Sequence, residues 1–556
     1  MTADVVEKLN QLFDETNQAW FDVYRSPGVE GQPVTATVPR EDRQVEKVRG
    51  HLLRSGATLP CLDSREQLAA TVAVEAPVVR RAAHMGWREK GSVFVTHRHV
   101  AGNANGGKVV PPESTLTGVA GEKRGTLKGW RDLVRSARYS TAMTISLCAV
   151  FAAPLLSPLN APSFALVLVG PSRSGKSTAQ LVAASALGFG EEKSLPTLNA
   201  TPAGLIAAAQ AFSDHMLPIN EIGTARGPKR DIGGVLRETT YALMTGHDVI
   251  RHPSWTGGGS PAGSFQVLPL LSSEWSPDAW AARNGETRDD GETARLIGVP
   301  VLRAGHGTVF DRPPKELKDA ALDNWIKARF RRLRRGLRRH RGVAFPIYLD
   351  KLVADRRALT ERARQVAAEF EARHSRPSMS PVARDIVGKF GMLLAGGVIA
   401  NELGVLPLSQ SRVGKAVARS CRAALAELPD PEADLRADLR LLKERLSGGA
   451  LLDLESCSGR ERRMMRNADG FCKPRGQGKE FVIRAQVFGK WFGTPLQTRR
   501  TLEWLDSEGF LDHAKAVTKG RSNEWAQKQI IWPDDTRQRS ISLFLPAGLA
   551  DLERDG

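Results

Sequence analysis

The segment Gly170-Pro-Ser-Arg-Ser-Gly-Lys-Ser177 constrains the fold of this chain more than any other eight residues. It follows the apolar run Phe164-Ala-Leu-Val-Leu-Val169 and precedes Thr178-Ala-Gln-Leu-Val-Ala-Ala-Ser185, a stretch suited to a helix. The order is strand, glycine-rich turn, helix, with the spacing G-x-x-x-x-G-K-[ST] of a phosphate-binding loop. In that arrangement successive backbone N–H groups surround a phosphate, and the N-terminus of the next helix adds its partial positive charge. Gly170 and Gly175 leave space where a Cβ would obstruct the turn or the approach of phosphate oxygens. Lys176 is spaced to reach the β- and γ-phosphates and Ser177 to ligate Mg²⁺, with Pro171, Ser172, Arg173, Ser174 and Thr178 completing the contact surface. The motif predicts a site for ATP and Mg²⁺ in an α/β core. A turn built only from small residues is the alternative, and the flanking strand and helix argue against it.

At 556 residues the chain is long enough for several domains with sizeable cores. Hydrophobic residues at 41% and charged residues at 25% are in the globular range. The five cysteines are far apart, and Cys457 and Cys472 lack the spacing and histidine neighbours of a zinc site, which fits reduced thiols. The N-terminal Met1-Thr-Ala-Asp-Val-Val-Glu-Lys8 carries no basic start followed by an apolar core, so a cytoplasmic location is expected. The apolar stretch from Ala142 to Leu156 is short for a bilayer and contains Thr144, Ser146 and Pro154; it reads as a buried helix, with no membrane partner. A net charge of +18 exceeds what a nucleotide requires and points to a polyanion, with DNA as the first candidate and a generally basic surface as the alternative.

Residues 1–125 form a mixed α/β region in which Val5 to Val23 has helical spacing and Ser92 to Val100 reads as a strand. His97 and His99 have the spacing of two ligands on one strand face, against the simpler reading of exposed alternation. The turn-rich stretches Asn103-Ala-Asn-Gly-Gly-Lys108 and Pro111-Pro-Glu-Ser114 lead into a P-loop ATPase core over residues 126–314. Residues 315–447 are helix-compatible almost throughout and read as a helical lid, residues 448–478 as a linker.

Within the core, Met216-Leu-Pro-Ile-Asn-Glu-Ile222 is an apolar strand ending in Asn220-Glu221. Glu221 can polarise the attacking water, whereas Asn220 can contribute to the metal site only as a neutral amide. The strand Ser264-Phe-Gln-Val-Leu-Pro-Leu-Leu271 ends in Ser272-Ser-Glu, where either serine can sense the γ-phosphate and position water or merely cap the strand. Between them, Asp248-Val-Ile-Arg-His-Pro-Ser-Trp255 can form a hairpin that directs Arg251 and His252 to a pore. Arg295 lies just ahead of the apolar run to Pro300, where it can either complete a neighbouring subunit's site or form a surface ion pair.

The region 479–556 shows helix, turn and helix, namely Arg484 to Phe492, Gly493-Thr-Pro495 and Leu496 to Glu508, and a two-stranded ribbon can follow across Lys519-Gly-Arg-Ser-Asn523. That order is similar to a winged helix, which serves DNA or protein contacts. Its second helix is expected to expose Gln497, Thr498, Arg499 and Arg500 and to bury Leu496, Leu502 and Leu505, with Lys519 and Arg521 on the ribbon. From Lys327 to Arg341, nine of fifteen residues are Lys or Arg and none is acidic. Phe330, Leu333 and Leu337 give this helix an apolar stripe, leaving Arg331 and Arg335 among the cations offered to phosphates; a membrane-surface helix has the same pattern.

Taken in order, Met85-Gly-Trp-Arg88, Gly129-Trp-Arg-Asp-Leu133, Ala200-Thr-Pro-Ala-Gly-Leu205, Leu217-Pro-Ile-Asn-Glu-Ile-Gly223, Tyr241-Ala-Leu-Met-Thr-Gly246 and Ala294-Arg-Leu-Ile297 resemble the P-loop family known as domain of unknown function 927 over roughly residues 84 to 400. Its members include MCM-like replicative helicases of phages and mobile elements. The resemblance implies an AAA+ ring helicase, a homo-hexamer with a C-terminal winged helix, that passes single-stranded DNA through a pore. By position it carries Lys176, Ser177 and Glu221 into the ATP motifs, and Ser273 and Arg295 less directly. Asn220 departs from the family's usual Asp, which leaves open a DNA-binding initiator or regulator that uses ATP as an assembly switch.

Overall fold

The computed structural model describes residues 5–58, 64–103, 108–112, 120–198, 202–220, 243–244, 246, 265–283, 286–302, 307–428, 430–459, 465, 468–512 and 523–552. The chain divides into two compact units. The first comprises Met1–Arg226, Val235–Glu274 and Asp290–Ala426, and the second Gly227–Gly234, Trp275–Asp289 and Glu427–Gly556.

The first unit opens with strands β1 (Glu7–Asp14), β2 (Ala19–Ser26) and β3 (Val34–Pro39), helices α1 (Val45–Arg54) and α2 (Arg65–Ala73), and strand β4 (Val78–Arg81). A small antiparallel sheet of β5 (Gly86–Arg88), β6 (Val93–Val95) and β7 (Val100–Gly102) comes next, then β8 (Lys108–Val110), which completes a sheet of order β3-β2-β1-β4-β8. The helix expected from Val5 to Val23 is therefore a hairpin. Its apolar spacing suits either structure, and the turn decides: the Asp14 carboxylate accepts the N–H of Thr16 at 2.9 Å and of Asn17 at 3.4 Å, and Gln18 takes a positive φ of 51°. Likewise the strand expected from Ser92 to Val100 folds back on itself, because Thr96 N donates to His99 O at 2.8 Å and its hydroxyl accepts the N–H of His99.

The central layer contains α3 (Leu127–Val134), α4 (Thr141–Leu156), β9 (Ala165–Val169), α5 (Lys176–Ala184), α6 (Pro202–Ala211), β10 (His215–Ile219) and β11 (Val267–Ser273). Helix α7 (Pro277–Arg283) belongs to the second unit; α8 (Asp290–Arg295) and β12 (Leu296–Pro300) return to the first. The four strands are parallel in the order β10-β11-β9-β12. Such a sheet needs cover on both faces, which accounts for strands that are apolar along their length; every residue of β10 and β11 is buried. Helices α9 (Asp319–Leu337), α10 (Ala344–Ala354), α11 (Arg356–His374), α12 (Pro381–Glu402) and α13 (Gln410–Ala426) complete the unit. By length and composition Thr141–Leu159 could cross a membrane, but α4, which makes up most of it, lies against α5, α12, α13 and the sheet, and every residue from Ala142 to Leu156 is buried.

In the second unit, α14 (Pro431–Ser447), α15 (Ala485–Trp491) and α16 (Pro495–Ser507) accompany a five-stranded sheet. The strands are β13 (Leu451–Asp453), β14 (Gly470–Arg475), β15 (Gly478–Arg484), β16 (Lys528–Ile531) and β17 (Arg537–Leu545), in the order β13-β14-β15-β17-β16. The stretch read as a linker thus holds β13 and β14. Its Gly, Arg and Ser content obscures the short apolar pairs Leu451-Leu452 and Phe471-Cys472, from which Leu451, Phe471 and Cys472 are buried. Helix α14, read with the lid, packs instead with α15 and α16, its Leu439 and Leu442 sharing a core with Leu505 and Leu543.

Candidate functional site

The glycine-rich loop leaves the carboxyl end of β9 pinned on both sides. Gly170 N donates to Ser273 O at 3.1 Å, at the end of β11, and Val301 N donates to Val169 O at 2.8 Å, just past β12. Further along, Val309 N donates to Ser174 O at 2.8 Å, while the Ser174 hydroxyl is buried without a partner. Arg173 and Gly175 turn the chain into α5 with φ of 62° and 101°. At Gly175 a Cβ would lie 2.7 Å from Phe330 Cζ and 2.8 Å from Val309 Cγ2, so only glycine satisfies both the backbone angle and the space. Lys176 opens α5 and folds its ammonium back over the loop, donating to Gly170 O at 2.7 Å and Pro171 O at 2.8 Å.

Arg173, Gly175, Lys176 and Ser177 line a cavity of about 500 Å³, together with Ser172, Thr178, Glu192, Ser272, Ser273, Glu274, Phe330 and Arg334. The Lys176 ammonium, two guanidiniums, several hydroxyls and the N-terminus of α5 form a donor set suited to a polyphosphate, and the volume is that of an ordinary small-molecule site.

Sheet order brings the neighbouring strand ends to the same edge. The Asn220 side-chain oxygen, just past β10, accepts from Ser177 Oγ at 3.0 Å and from Ser272 Oγ at 3.2 Å. Ser177 and Asn220 offer the neutral oxygen ligands that fit a hard divalent cation. Ser272 rather than Ser273 contacts Asn220, although both serines line the cavity. Behind the loop, Thr178 Oγ1 donates to Glu192 Oε1 at 2.8 Å, and Arg334 Nε donates to the same oxygen at 3.2 Å.

Sequence reasoning did not single out Glu192, Glu274 or Arg334, and it gave Phe330 only a docking role. Glu192 belongs to a short 3₁₀ turn without periodic pattern, and Arg334 is one cation among many; only the fold of α9 over the loop distinguishes them. On α9, Leu333 and Leu337 are fully buried, and a Cβ at Gly336 would clash with the Leu133 side chain of α3. Arg331 and Arg335 are exposed on the opposite face. The helix stops at Leu337, and Arg341 is buried, donating to Glu122 Oε2 at 2.6 Å.

Arg295 lies elsewhere. Leu296 pairs with Ala165 at the amino end of β9, whereas the loop leaves the carboxyl end, so a strand of roughly 16 Å separates Arg295 from its own chain's cavity. Its guanidinium donates to Gly291 O at 3.3 Å. In the second unit, Arg500 Nε donates to Asp438 Oδ2 at 2.8 Å and its Nη1 to Asp434 Oδ2 at 2.9 Å. The expectation of an exposed Arg500 is therefore corrected: it is half-buried, and α14 lays two carboxylates across it. Arg499 Nε donates to Glu503 Oε1 at 2.9 Å, and Thr498, also expected outside, is buried. Glu221, Arg251, His252, Lys519 and Arg521 lie outside the described residues.

His97 and His99 sit in the β6–β7 turn rather than on a strand face. Burial, with His215 nearby, pushes the His97 pKa down to about 3, and His99 Nε2 lies 2.8 Å from Asp350 Oδ1. No metal-binding cluster of His, Cys, Asp or Glu occurs among the described residues.

Parallel-sheet order and loop geometry define a mixed α/β protein with a glycine-rich loop at the carboxyl edge of its central sheet. Residues 5–251 match the family described as "Domain of unknown function (DUF927)", so the resemblance carried by the ordered motifs holds over that stretch. The match starts earlier and stops earlier than the span of the motifs. The structure described as "SCCmec type IV Cch - active helicase" aligns with 97% of this chain and 93% of its own, at 13% identity and a TM-score of 0.56, which shows a shared fold. A structure of the NrS-1 C-terminal region aligns with 75% of this chain and 91% of its own at 9% identity, with a TM-score of 0.24 too low to carry an argument. None of the curated proteins matches the chain.

Proposed function

We propose that this protein is an ATP-dependent DNA helicase or translocase serving replication of a phage, plasmid or integrative element, and that it works as a homo-hexamer with an AAA+-type P-loop core. The observation that carries this reading is the cavity at the sheet's carboxyl edge, lined by the loop lysine and by Ser177, whose hydroxyl donates to the Asn220 amide. Lys176 exchanges its two loop carbonyls for phosphate oxygens, and Arg173 and the α5 N-terminus add positive charge. Ser177 and Asn220 would hold Mg²⁺, which when bound neutralises charge on the phosphates. Glu221, next to Asn220, orients the attacking water. Arg295, distant from its own cavity, serves a neighbouring subunit. The fold shared with the mobile-element helicase and the net charge of +18 support a DNA motor. The α15–turn–α16 segment is read as the core of a winged helix contacting duplex DNA, and the exposed face of α9 as a contact for single strands.

The test is DNA-stimulated ATP hydrolysis and displacement of a labelled strand from a forked duplex. Lys176→Ala should lower both about 100-fold or more, and equal rates in the variant would end the motor reading. Asn220 supports a second reading, an assembly switch with little turnover, because a neutral amide organises a cation less firmly than a carboxylate. In that case the wild type assembles with ATP but barely hydrolyses it, and Asn220→Asp raises turnover; a fast wild type that is indifferent to Asn220→Asp excludes the switch.

A further inference from the structure

On the outer side of the nucleotide cavity, α9 forms a shallow groove of about 520 Å³ lined by Lys327, Phe330, Arg331, Arg334, Arg335 and Arg338. Five of its six residues are cations and none is acidic. The groove shares Phe330 and Arg334 with the nucleotide cavity, so one wall separates the two spaces. That wall is firmly held: Leu333 and Leu337 are fully buried beneath α9, and the Phe330 ring lies against Gly175.

Within the wall, Arg334 is the cation that lines both spaces. Its resting partner is Glu192 at 3.2 Å, which accepts from Thr178 immediately after the metal-site serine. One turn on, Arg338 is held by the adjacent Glu191 at 3.2 Å. Arg331 and Arg335 have no ion-pair partner among the described residues and are exposed on the groove.

Building on the proposed nucleotide and DNA binding, we propose that the groove binds the phosphate backbone of single-stranded DNA and that Arg334 makes DNA and nucleotide antagonists. Arg334 cannot neutralise phosphates in both spaces at once. DNA in the groove draws the guanidinium outwards and leaves the Glu192 carboxylate in the cavity without its countercharge, held only by the Thr178 hydroxyl, where it repels nucleotide phosphates. Linkage requires the reverse effect to be equal, so bound nucleotide weakens DNA at the groove by the same factor. In a translocating motor this favours release of spent nucleotide when DNA engages α9. Arg334 acts here as a positioning residue, through Glu192.

The experiment measures affinity of the full chain for a fluorescent ADP analogue with and without a saturating thymidine oligonucleotide, at fixed ionic strength because phosphate contacts are strongly salt-dependent. In the wild type the oligonucleotide should weaken ADP binding about 5- to 10-fold, and ADP should weaken oligonucleotide binding equally. Arg334→Ala should bring the factor below about 2 while still binding both ligands. Arg335→Ala should weaken oligonucleotide binding but keep the factor at saturation. Glu192→Gln, which removes the resting partner of Arg334, should tighten both ligands, a gain that misfolding does not produce. An undiminished factor in Arg334→Ala overturns the proposal. So does a wild type that binds both ligands with no mutual effect, and that outcome leaves the proposed helicase intact. A wild type that binds neither ligand removes both.

Discussion

His215 and Asp214 are neighbours at the start of β10 whose ionisation opposes folding in opposite pH ranges. Burial pushes His215 down to about 4 and His97, in ring contact with it, down to about 3, so both imidazoles stay neutral in the fold. Their stabilising share is full above the unfolded value near 6.5 and is lost as pH falls from there towards 4 and 3. Asp214 runs the other way: burial raises it to about 7 against the N–H that Trp87 donates to Oδ2 at 3.0 Å. Its favourable share is present below about 3.8 and is lost as pH rises towards 7. Urea midpoints at several pH values should separate the two. Between pH 7 and 4.5, His215→Leu should lose about 2 kcal/mol less than the wild type, and between pH 5 and 8, Asp214→Asn should gain about 2 kcal/mol relative to it. Parallel curves for wild type and variants would refute the assignment. None of this was legible in the sequence, where Asp214-His215 is a polar pair at the start of an apolar strand and water is removed by distant elements, the β5–β7 sheet with Phe94 and α10 with Phe345.

Between elements, the Arg500 pairing with α14 is the clearest case in which a surface read from sequence becomes an interior. Of the three leucines expected on the apolar face of α16, Leu502 and Leu505 are buried and Leu496 is half-buried. What the spacing could not reveal was a second helix laid across the polar face, because Asp434 and Asp438 lie some sixty residues away, in a stretch that reads as ordinary lid helix. The Asp438 side chain is 2% exposed, and burial raises its pKa even though Arg500 pulls it down. Removing one member of a buried pair costs more than the pair contributes, because the other charge is stranded. Arg500→Ala should therefore destabilise the second unit by about 3 kcal/mol, and adding Asp438→Asn should recover part of the loss. Arg499→Ala, which breaks only an i,i+4 pair at the surface, should cost less than about 1 kcal/mol. If Arg500→Ala instead leaves stability unchanged and abolishes duplex binding, the DNA-contact reading of Arg500 returns.

At the scale of the molecule, the parts set by local chemistry were legible and those set by long-range pairing were not. Gly170–Ser177 read correctly as strand end, turn and helix start because the glycine conformation that turns the chain into α5 is local. The order β10-β11-β9-β12 could not be read, since it depends on which distant apolar strands meet. Yet that order brings Asn220 and Ser272 to Ser177 and leaves Arg295 at the far end of β12. The same order gives the proposed ring a sharp test. Arg295 cannot reach its own loop without dismantling the sheet, so if it assists hydrolysis it does so across a subunit boundary, in a head-to-tail contact. Lys176→Ala and Arg295→Ala should each abolish turnover, the second with nucleotide binding retained. Mixed in equal amounts, they should recover activity, because about one interface in four then combines an intact Lys176 with an intact Arg295. Recovery should rise with mixing time as subunits exchange and be absent when assemblies are cross-linked beforehand. A mixture as inactive as its components would place Arg295 outside the reaction and leave its role to the contacts it makes at the end of α8.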